Sequence, residues 1–361
     1  MSILIFVIVI VALIVVHEFG HFIAAKLSGM RVDEFGLGYP PRALTLGKIG
    51  ETVYTLNWLP FGGFVKIYGE DGGTGARAFA TRPRILQAFV LVAGIAMNLV
   101  FAYVLITSAL VMGTPRALSQ GELAIATHME LAVANVLPGS PAARAGLLAG
   151  DSVMRAEDTM GTWRATDPVS FSAFVADSQG NPITLSVKHD GSEHVITATP
   201  AAGIVKSDPT RYALGVEVAT IGVVPVGFGA AITEGARLTW ETTVLTAKGL
   251  WHFFYGVFTL SADLSQVAGP IGIAGAVGSA SAQGFGDLLS IMAVISINLA
   301  LINLIPVPAL DGGRLLFVLI ESIIRRPIKP RVARAFNAVG FVALILLMLV
   351  VTAHDIFRIV G

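Results

Sequence analysis

The 361-residue chain contains no cysteine. It therefore has no thiol nucleophile, no zinc-thiolate site, no disulfide bond and no cysteine that could carry a lipid anchor. A metal ion could be held only by His, Asp and Glu side chains. Charged residues are also scarce, at 13% of the chain, and the formal net charge is zero. This balance provides no overall electrostatic attraction to nucleic acid or to another polyanion.

Apolar residues make up 54% of the chain, which is more than a soluble protein of this length usually contains. We therefore expect an integral membrane protein. Four apolar runs are long enough to cross a bilayer, at residues 3–25, 85–112, 288–305 and 332–351. The first run lacks the basic start and the small-residue cleavage site of a signal peptide, so we expect a retained membrane helix.

The Lys and Arg residues predict the orientation of the chain, because cationic loops resist translocation. They concentrate between the first and second runs, from Lys26 to Arg84, and between the third and fourth, from Arg314 to Arg334. Both loops should face the cytoplasm. Both termini and the long stretch between the second and third runs should then be extracytoplasmic.

That stretch, residues 120–222, has the composition of a soluble domain, and its alternating runs at residues 183–187 and 194–198 predict strands. Ser140-Pro141 would begin a helix, and Gly150-Asp151 would turn into a strand. The surrounding segment, residues 136–151, resembles part of the bacterial PDZ domains. Another small α+β domain is the alternative. The predicted fold is a polytopic α-helical membrane protein with about four membrane helices, a membrane-associated β-hairpin and an inserted extracytoplasmic α+β PDZ domain.

Two membrane parts, residues 1–115 and 285–361, would flank this domain. Residues 226–284 predict an interfacial amphipathic helix and a linker. The aromatic cluster at residues 251–255 suits the outer interface, whereas Glu234, Arg237 and Lys248 would be costly in hydrocarbon.

His17 and His21 lie four residues apart near the end of the first apolar run. On a helix they share one face, so both imidazoles can reach one ion at about 2.0–2.1 Å. Glu18 would take a proton from a zinc-bound water and pass it to the leaving amine. A chance match or a structural polar cluster is the alternative.

A catalytic zinc site typically has three protein ligands, so one more is needed. Asp311 is the carboxylate that stands out, because Pro306 and Pro308 should end the third membrane helix and Asp311 should begin a new one. Gly312 and Gly313 would let the first helix approach closely. A role for Asp311 as a simple helix cap is the alternative.

The chain resembles, over essentially its whole length, the site-two protease family of intramembrane zinc metalloproteases, and within it the bacterial regulator-of-sigma-E proteases. The matching features are residues 17–21, Leu310-Asp311-Gly312, Gly269-Pro270-Ile271, the run from Asn298 to Pro308, and an outward PDZ domain. The resemblance implies zinc ligation by His17, His21 and Asp311, with Glu18 as the catalytic base. It also implies a bacterial inner membrane location. His17 lies roughly 21 Å along the first helix from Ile3, at about 1.5 Å per residue, which puts the active site nearer the cytoplasmic side.

The resemblance further implies that Asn298, Pro306 and Pro308 help to bind and unwind the substrate. For Asn298, a hydrogen bond to a neighbouring helix is the alternative. The chain departs from the family in two places. The best-known members have two tandem PDZ domains, whereas this soluble stretch has room for one. Ile95 also stands where the family usually has a proline.

Residues 52–68 contain two β-rich runs on either side of Pro60-Phe61-Gly62-Gly63, a pattern that predicts a hairpin. An exposed hairpin edge could pair with an extended substrate, which would bring Gly62, Gly63 and their flanks close to it. In the resembled family this region is a membrane re-entrant β-loop with such a role. A hairpin without substrate contact is the alternative.

We therefore predict a zinc metalloendopeptidase that acts in or near the membrane segment of a single-span protein, such as an anti-sigma factor, or of a remnant signal peptide. The resemblance adds prior trimming of the substrate by another protease. The PDZ domain would exclude bulky substrates or bind an exposed C-terminus. The alternatives are a metal transporter, in which buried His and Asp line an ion pathway, and an inactive PDZ scaffold.

Overall fold

The computed structural model of the chain describes residues 2–70, 74–189, 192–205, 207–259, 269–326, 328 and 330–360. It contains two compact units. The first is formed by Met1–Ala109 together with Gly229–Gly361, and the second by Leu110–Phe228. The second unit contains the predicted soluble domain.

The described helices are α1 (Ser2–Leu27), α2 (Arg84–Val111), α3 (Pro141–Arg144), α4 (Pro168–Asp177), α5 (Phe228–Phe258), α6 (Pro270–Gln283), α7 (Phe285–Leu304), α8 (Asp311–Ile324) and α9 (Pro330–Val360). The described strands are β1 (Val32–Ile49), β2 (Thr52–Ile67), β3 (Arg116–Ala117), β4 (Thr127–Val136), β5 (Ser152–Glu157), β6 (Thr162–Trp163), β7 (Ile183–His189), β8 (Ser192–Ala198) and β9 (Val216–Val223).

Within the described residues, four helical segments are long and apolar enough to cross a membrane: Ile3–Leu27, Arg84–Val111, Phe285–Leu304 and Arg331–Phe357. They overlap the four runs predicted from the sequence. Continuous apolar runs of this length strongly predict membrane-spanning helices, because a helix in lipid must present apolar side chains on every exposed face.

The described part of the predicted interfacial segment contains two helices. The first is α5, on which Trp240 and Trp251 are exposed. The second is α6, which occupies part of the predicted linker and packs on α1, where its Val277 joins Val9 and Leu13 in a buried cluster. Residues 260–268 of the predicted segment lie outside the described residues.

The β-structure that follows α1 differs from the hairpin predicted around Gly62 and Gly63. Strand β2 runs unbroken through both glycines and pairs with β1. Phe35 of β1 pairs with both Tyr54 and Val65, so the first part of β1 lies between the two β-rich runs of β2. The sequence pattern did not reveal β1 because its glycines and prolines interrupt the usual strand alternation.

The second unit is built on a sheet in the order β3-β9-β4-β5-β7-β8, with β6 beside β5. The predicted runs at residues 183–187 and 194–198 lie in the paired strands β7 and β8. The predicted start of α3 is confirmed, since Ser140 Oγ accepts a hydrogen bond from Ala143 N at 3.2 Å. Gly150 has a φ of +95°, and β5 begins just after it. Phe171 of α4 packs in the core against strands of this sheet.

Candidate metal centre

Three donor atoms from two helices converge in the first unit. His17 Nε2 lies 2.9 Å from Asp311 Oδ2, and His21 Nε2 lies 3.1 Å from His17 Nε2 and 3.2 Å from Asp311 Oδ2. The two imidazoles are buried one turn apart on α1, and the carboxylate belongs to the first residue of α8. Residues about 290 positions apart in sequence thus meet at one point.

The spacing of these atoms suits a single zinc ion. Tetrahedral zinc, with bonds of about 2.0–2.2 Å to nitrogen and oxygen, separates its ligands by about 3.3–3.4 Å. The three observed separations, 2.9–3.2 Å, lie within about 0.5 Å of that value. Two neutral imidazoles and one carboxylate are also a donor set found in catalytic zinc sites.

Two glycines bring α1 and α2 into backbone contact beside the histidines. A Cβ on Gly20 would lie 2.4 Å from Ala93 O, and a Cβ on Gly94 would lie 2.4 Å from His21 Nε2. Neither side chain would fit without displacing its neighbours. Neither role was predicted from the sequence, although small residues in membrane helices are a general sign of close packing.

The glycines after Asp311 serve a different purpose from the one predicted. The atoms nearest to an added Cβ on Gly312 belong to Leu304 and Ile305, and those nearest to one on Gly313 belong to Val307 and Pro308. The glycines therefore allow α8 to fold tightly against the preceding loop, rather than allowing α1 to approach.

The Asp311 side chain does not make a helix-capping hydrogen bond. The N-cap of α8 is Leu310, which precedes Asp311 and makes no side-chain cap bond. The Asp311 carboxylate lies instead against His17 and His21. This placement favours the ligand interpretation of Asp311 over the simple cap.

Helix α2 contacts the outer nitrogen of each imidazole. His21 Nδ1 donates to Val90 O at 2.8 Å, which leaves Nε2 facing the other donor atoms. His17 Nδ1 lies 3.2 Å from the side-chain nitrogen of Asn98. Such contacts orient metal-binding histidines and select their tautomers.

Glu18 lies between the three donors and the β-structure. Its Oε2 accepts a hydrogen bond from Val65 N of β2 at 3.0 Å. Gly63 of β2 is close as well, since its added Cβ would lie 3.8 Å from Glu18 Cγ. The candidate base is therefore tethered to the strand that passes the site.

The remaining predicted site residues do not meet the three donors through any hydrogen bond among the described residues. Asn298 Nδ2 donates to Val294 O of its own helix at 2.9 Å, so its contact is not with a neighbouring helix. Pro306 and Pro308 lie in the loop between α7 and α8, as expected for residues that end the third membrane helix. Gly62 is buried, and its added Cβ would approach Tyr39 and Ile14.

Residues 5–347 match the sequence family described as peptidase family M50. The chain belongs to peptidase family M50. Among its relatives, the "Putative zinc metalloprotease" of Clostridium perfringens is 36% identical over 346 residues, covering 96% of this chain and 95% of the relative. The zinc metalloprotease RasP of Oceanobacillus iheyensis is 26% identical over 436 residues, covering 96% of each chain.

This M50 peptidase is accordingly a zinc metalloprotease, as the sequence analysis predicted, and its cofactor is Zn²⁺. The family membership supports the protease over the transporter and the inactive scaffold. The four apolar helices found among the described residues agree with a multi-pass membrane protein, and the family acts on membrane-protein substrates.

Proposed function

We propose that this M50 peptidase hydrolyses peptide bonds in or near the membrane segment of single-span proteins. In this proposal His17, His21 and Asp311 bind the zinc ion, and Glu18 is the general base. The observation that carries it is the meeting of three zinc-type donor atoms within 3.2 Å of one another. Two of them come from a helix apolar enough to span a membrane.

Zinc bound by these residues would lower the pKa of a water molecule and polarise the scissile carbonyl. Glu18 follows His17 directly on α1, so its carboxylate is near the donors without being needed as a ligand. It would accept the proton of the attacking water and deliver it to the leaving amine. The hydrogen bond from Val65 N keeps one carboxylate oxygen fixed during this transfer.

The outer edge of β2 is the proposed site of substrate alignment. Residues 63–67 pair with β1 on one side, and the Val65 N–H points away from β1 toward Glu18. An extended peptide added along this edge would gain main-chain hydrogen bonds and pass beside the candidate base. Gly62 and Gly63 would support this edge by letting β2 lie close to α1.

Asn298, Pro306 and Pro308 are proposed to help bind and unwind the substrate. The prolines, which have no backbone N–H, interrupt the helical backbone between α7 and α8. Asn298 has an amide that a main-chain group of the substrate could engage in exchange for the Val294 carbonyl. These three residues would therefore act on the peptide backbone rather than on zinc.

The second unit is proposed to be a single extracytoplasmic PDZ domain, with residues 120–222 as its bounds. It contains a cavity of about 450 Å³ between α4 and the chain around β9, lined by residues that include Phe171, Val175 and Leu214. This cavity could hold the C-terminus of a trimmed substrate, whereas the bulk of the unit could exclude untrimmed ones. The proposed substrates are anti-sigma factors or remnant signal peptides at a bacterial inner membrane, with both termini of the enzyme extracytoplasmic and the active site toward the cytoplasm.

The decisive experiment uses the purified full-length protein with a single-span substrate. Glu18→Gln should retain zinc but lose cleavage by about 10²–10⁴-fold, because the amide cannot accept the proton. His17→Ala, His21→Ala and Asp311→Ala should each lose zinc. Zinc content by mass spectrometry and cleavage by gel analysis would be measured together.

Glu51→Gln is the matched control, because Glu51 forms an exposed ion pair with Arg77 at the β1–β2 turn. It should cleave like the wild type. Wild-type cleavage by Glu18→Gln would refute the assigned base, and full zinc content in Asp311→Ala would refute the assigned ligand set.

A further inference from the structure

A fully buried amide stands directly behind one of the proposed zinc ligands. Asn98 of α2 is 0% exposed, and its Nδ2 lies 3.2 Å from His17 Nδ1. Its Oδ1 is buried too and has no hydrogen-bond partner in the described part of the chain. A buried carbonyl without a partner costs about 1–3 kcal/mol.

Rotation of the terminal amide by 180° exchanges Oδ1 and Nδ2 with almost no change in shape. In the first orientation Nδ2 donates to a bare His17 Nδ1, and the neutral imidazole then carries its proton on Nε2. That proton blocks the atom that faces His21 and Asp311. In the second orientation Oδ1 accepts from Nδ1–H, and the Nε2 lone pair is available for a metal ion.

The second orientation pairs the carbonyl and moves the amide N–H groups to the position that Oδ1 occupied, so the reason to prefer it is the lone pair that it leaves on His17 Nε2. His21 shows the same arrangement already, because its Nδ1 donates to a carbonyl of α2, that of Val90. Both imidazoles would then be held by acceptors on one helix, one from the backbone and one from a side chain. The position of Asn98 is itself fixed, because its backbone carbonyl accepts from the buried Ser296 of α7 at 2.8 Å.

We propose that Asn98 is a positioning residue for the metal site. Its side-chain carbonyl accepts from His17 Nδ1–H and selects the imidazole tautomer that binds zinc through Nε2. This inference rests on the proposed ligation of zinc by His17. Helix α2 would then contact the Nδ1 atoms of both histidines, and Ser296 of α7 would hold the Asn98 amide in place.

The test measures zinc affinity of the full-length protein in detergent, by competition with a chelator of known affinity. Asn98→Leu removes the acceptor at similar volume and should weaken zinc binding by about 10- to 100-fold. Asn98→Asp keeps an oxygen acceptor and should bind zinc within a few-fold of the wild type. Comparison of the two variants therefore separates the effect of the lost hydrogen-bond acceptor from the effect of a changed side-chain volume.

Gln87→Leu is the matched control for lost stability. Gln87 is also a buried amide of α2, at 1% exposure, but it donates to Arg82 O rather than contacting a histidine. This variant should lower the midpoint of thermal unfolding and leave zinc affinity unchanged. A common loss of affinity in Gln87→Leu and Asn98→Leu would overturn the proposal, because general destabilisation would then explain both.

Wild-type zinc affinity in Asn98→Leu would overturn the proposal, and so would equal losses of zinc affinity in Asn98→Leu and Asn98→Asp.

A spectroscopic measurement covers the case in which Asn98→Leu fails to fold. In the zinc-loaded wild type labelled with ¹⁵N-histidine, His17 Nδ1 should be protonated, and an unprotonated Nδ1 would overturn the proposal. His17→Ala tests the zinc ligation by His17 separately from the role of Asn98. Wild-type zinc affinity in that variant would refute the ligation by His17 itself.

Discussion

Gly94 shows how little room surrounds the metal-binding face of α1. A Cβ at this position would lie 2.4 Å from His21 Nε2 and 2.9 Å from His17 Cε1, distances that real side chains do not adopt. Gly94→Ala must therefore displace at least one imidazole. We expect zinc affinity and cleavage to fall at least 10-fold, since displacements of about 1 Å can cost 10²-fold in rate.

Gly275→Ala is the control for this substitution. Gly275 also lies within a helix, α6, but an added Cβ would have nothing within 4 Å. Alanine is favoured over glycine in a helix by roughly 0.5–1 kcal/mol, so stability should be unchanged or slightly higher. Chelator competition on both variants checks the prediction, and wild-type affinity in Gly94→Ala would contradict it.

At the residue scale, the candidate ligands could be predicted because the residue types and spacing of short motifs indicate metal binding. His17 and His21 have ligand-type side chains at helical spacing, and Asp311 follows two helix-ending prolines. Gly94 and Asn98 have no such pattern. Their importance depends on which helix lies against α1, and a membrane helix that is apolar on all sides does not show its neighbour in its sequence.

At the scale of elements, the edge of β2 allows a test of substrate alignment. Val65→Pro removes the N–H from which Glu18 accepts a hydrogen bond, and the proline ring would crowd a strand added along this edge. The pairing with β1 should survive, because this N–H points away from β1. We expect zinc content to stay constant while cleavage falls, with a higher KM from lost pairing and a lower kcat from the released Glu18.

Val65→Ala is the matched control, because it shortens the side chain and keeps the backbone N–H. Its kinetics should remain near those of the wild type. Equal kinetics of Val65→Pro and the wild type would show that neither the tether nor the edge contributes to cleavage.

A second element-scale prediction concerns the start of α6, which is held by a carboxylate of α9. Asp355 is 6% exposed and accepts from Gly269 N at 3.3 Å and from Gly272 N at 2.9 Å. Asp355→Asn keeps one acceptor oxygen, whereas Asp355→Leu keeps none. Hydrogen bonds to charged groups contribute about 1.5–3 kcal/mol and neutral ones about 0.5–1.5 kcal/mol.

We therefore expect thermal stability to fall in the order wild type, Asp355→Asn, Asp355→Leu, with faster hydrogen exchange at the start of α6. Calorimetry and mass-spectrometric exchange of the full-length protein would measure both. Equal stability of the three proteins would contradict the contribution of this carboxylate.

The elements themselves were predicted unevenly, for a physical reason. Long apolar runs identify membrane helices, because lipid allows few polar exceptions. Strand β1 was missed because Gly36, Gly38 and Pro40-Pro41 are residue types that are depleted in strands. Helix α6 was taken for a linker, since its small residues carry little periodic pattern.

On the scale of the whole molecule, the candidate site belongs entirely to the first unit. Zinc removal should therefore destabilise that unit alone. A ligand at 100 times its Kd contributes about 2.7 kcal/mol to the stability of the state that binds it. Adding a chelator should speed hydrogen exchange in α1 and α8 and leave β4 and β7 of the second unit unchanged. An equal increase in both units would contradict this prediction.

His17 and Asp311 are 294 positions apart in the chain. A ribosome that adds about 5–20 residues per second needs roughly 15–60 s to pass from one to the other. On the proposed ligand set, the growing polypeptide holds two imidazoles without their carboxylate throughout this interval. On that ligand set, the nascent protease would be unable to hydrolyse neighbouring membrane proteins until the segment that contains Asp311 has been translated and inserted.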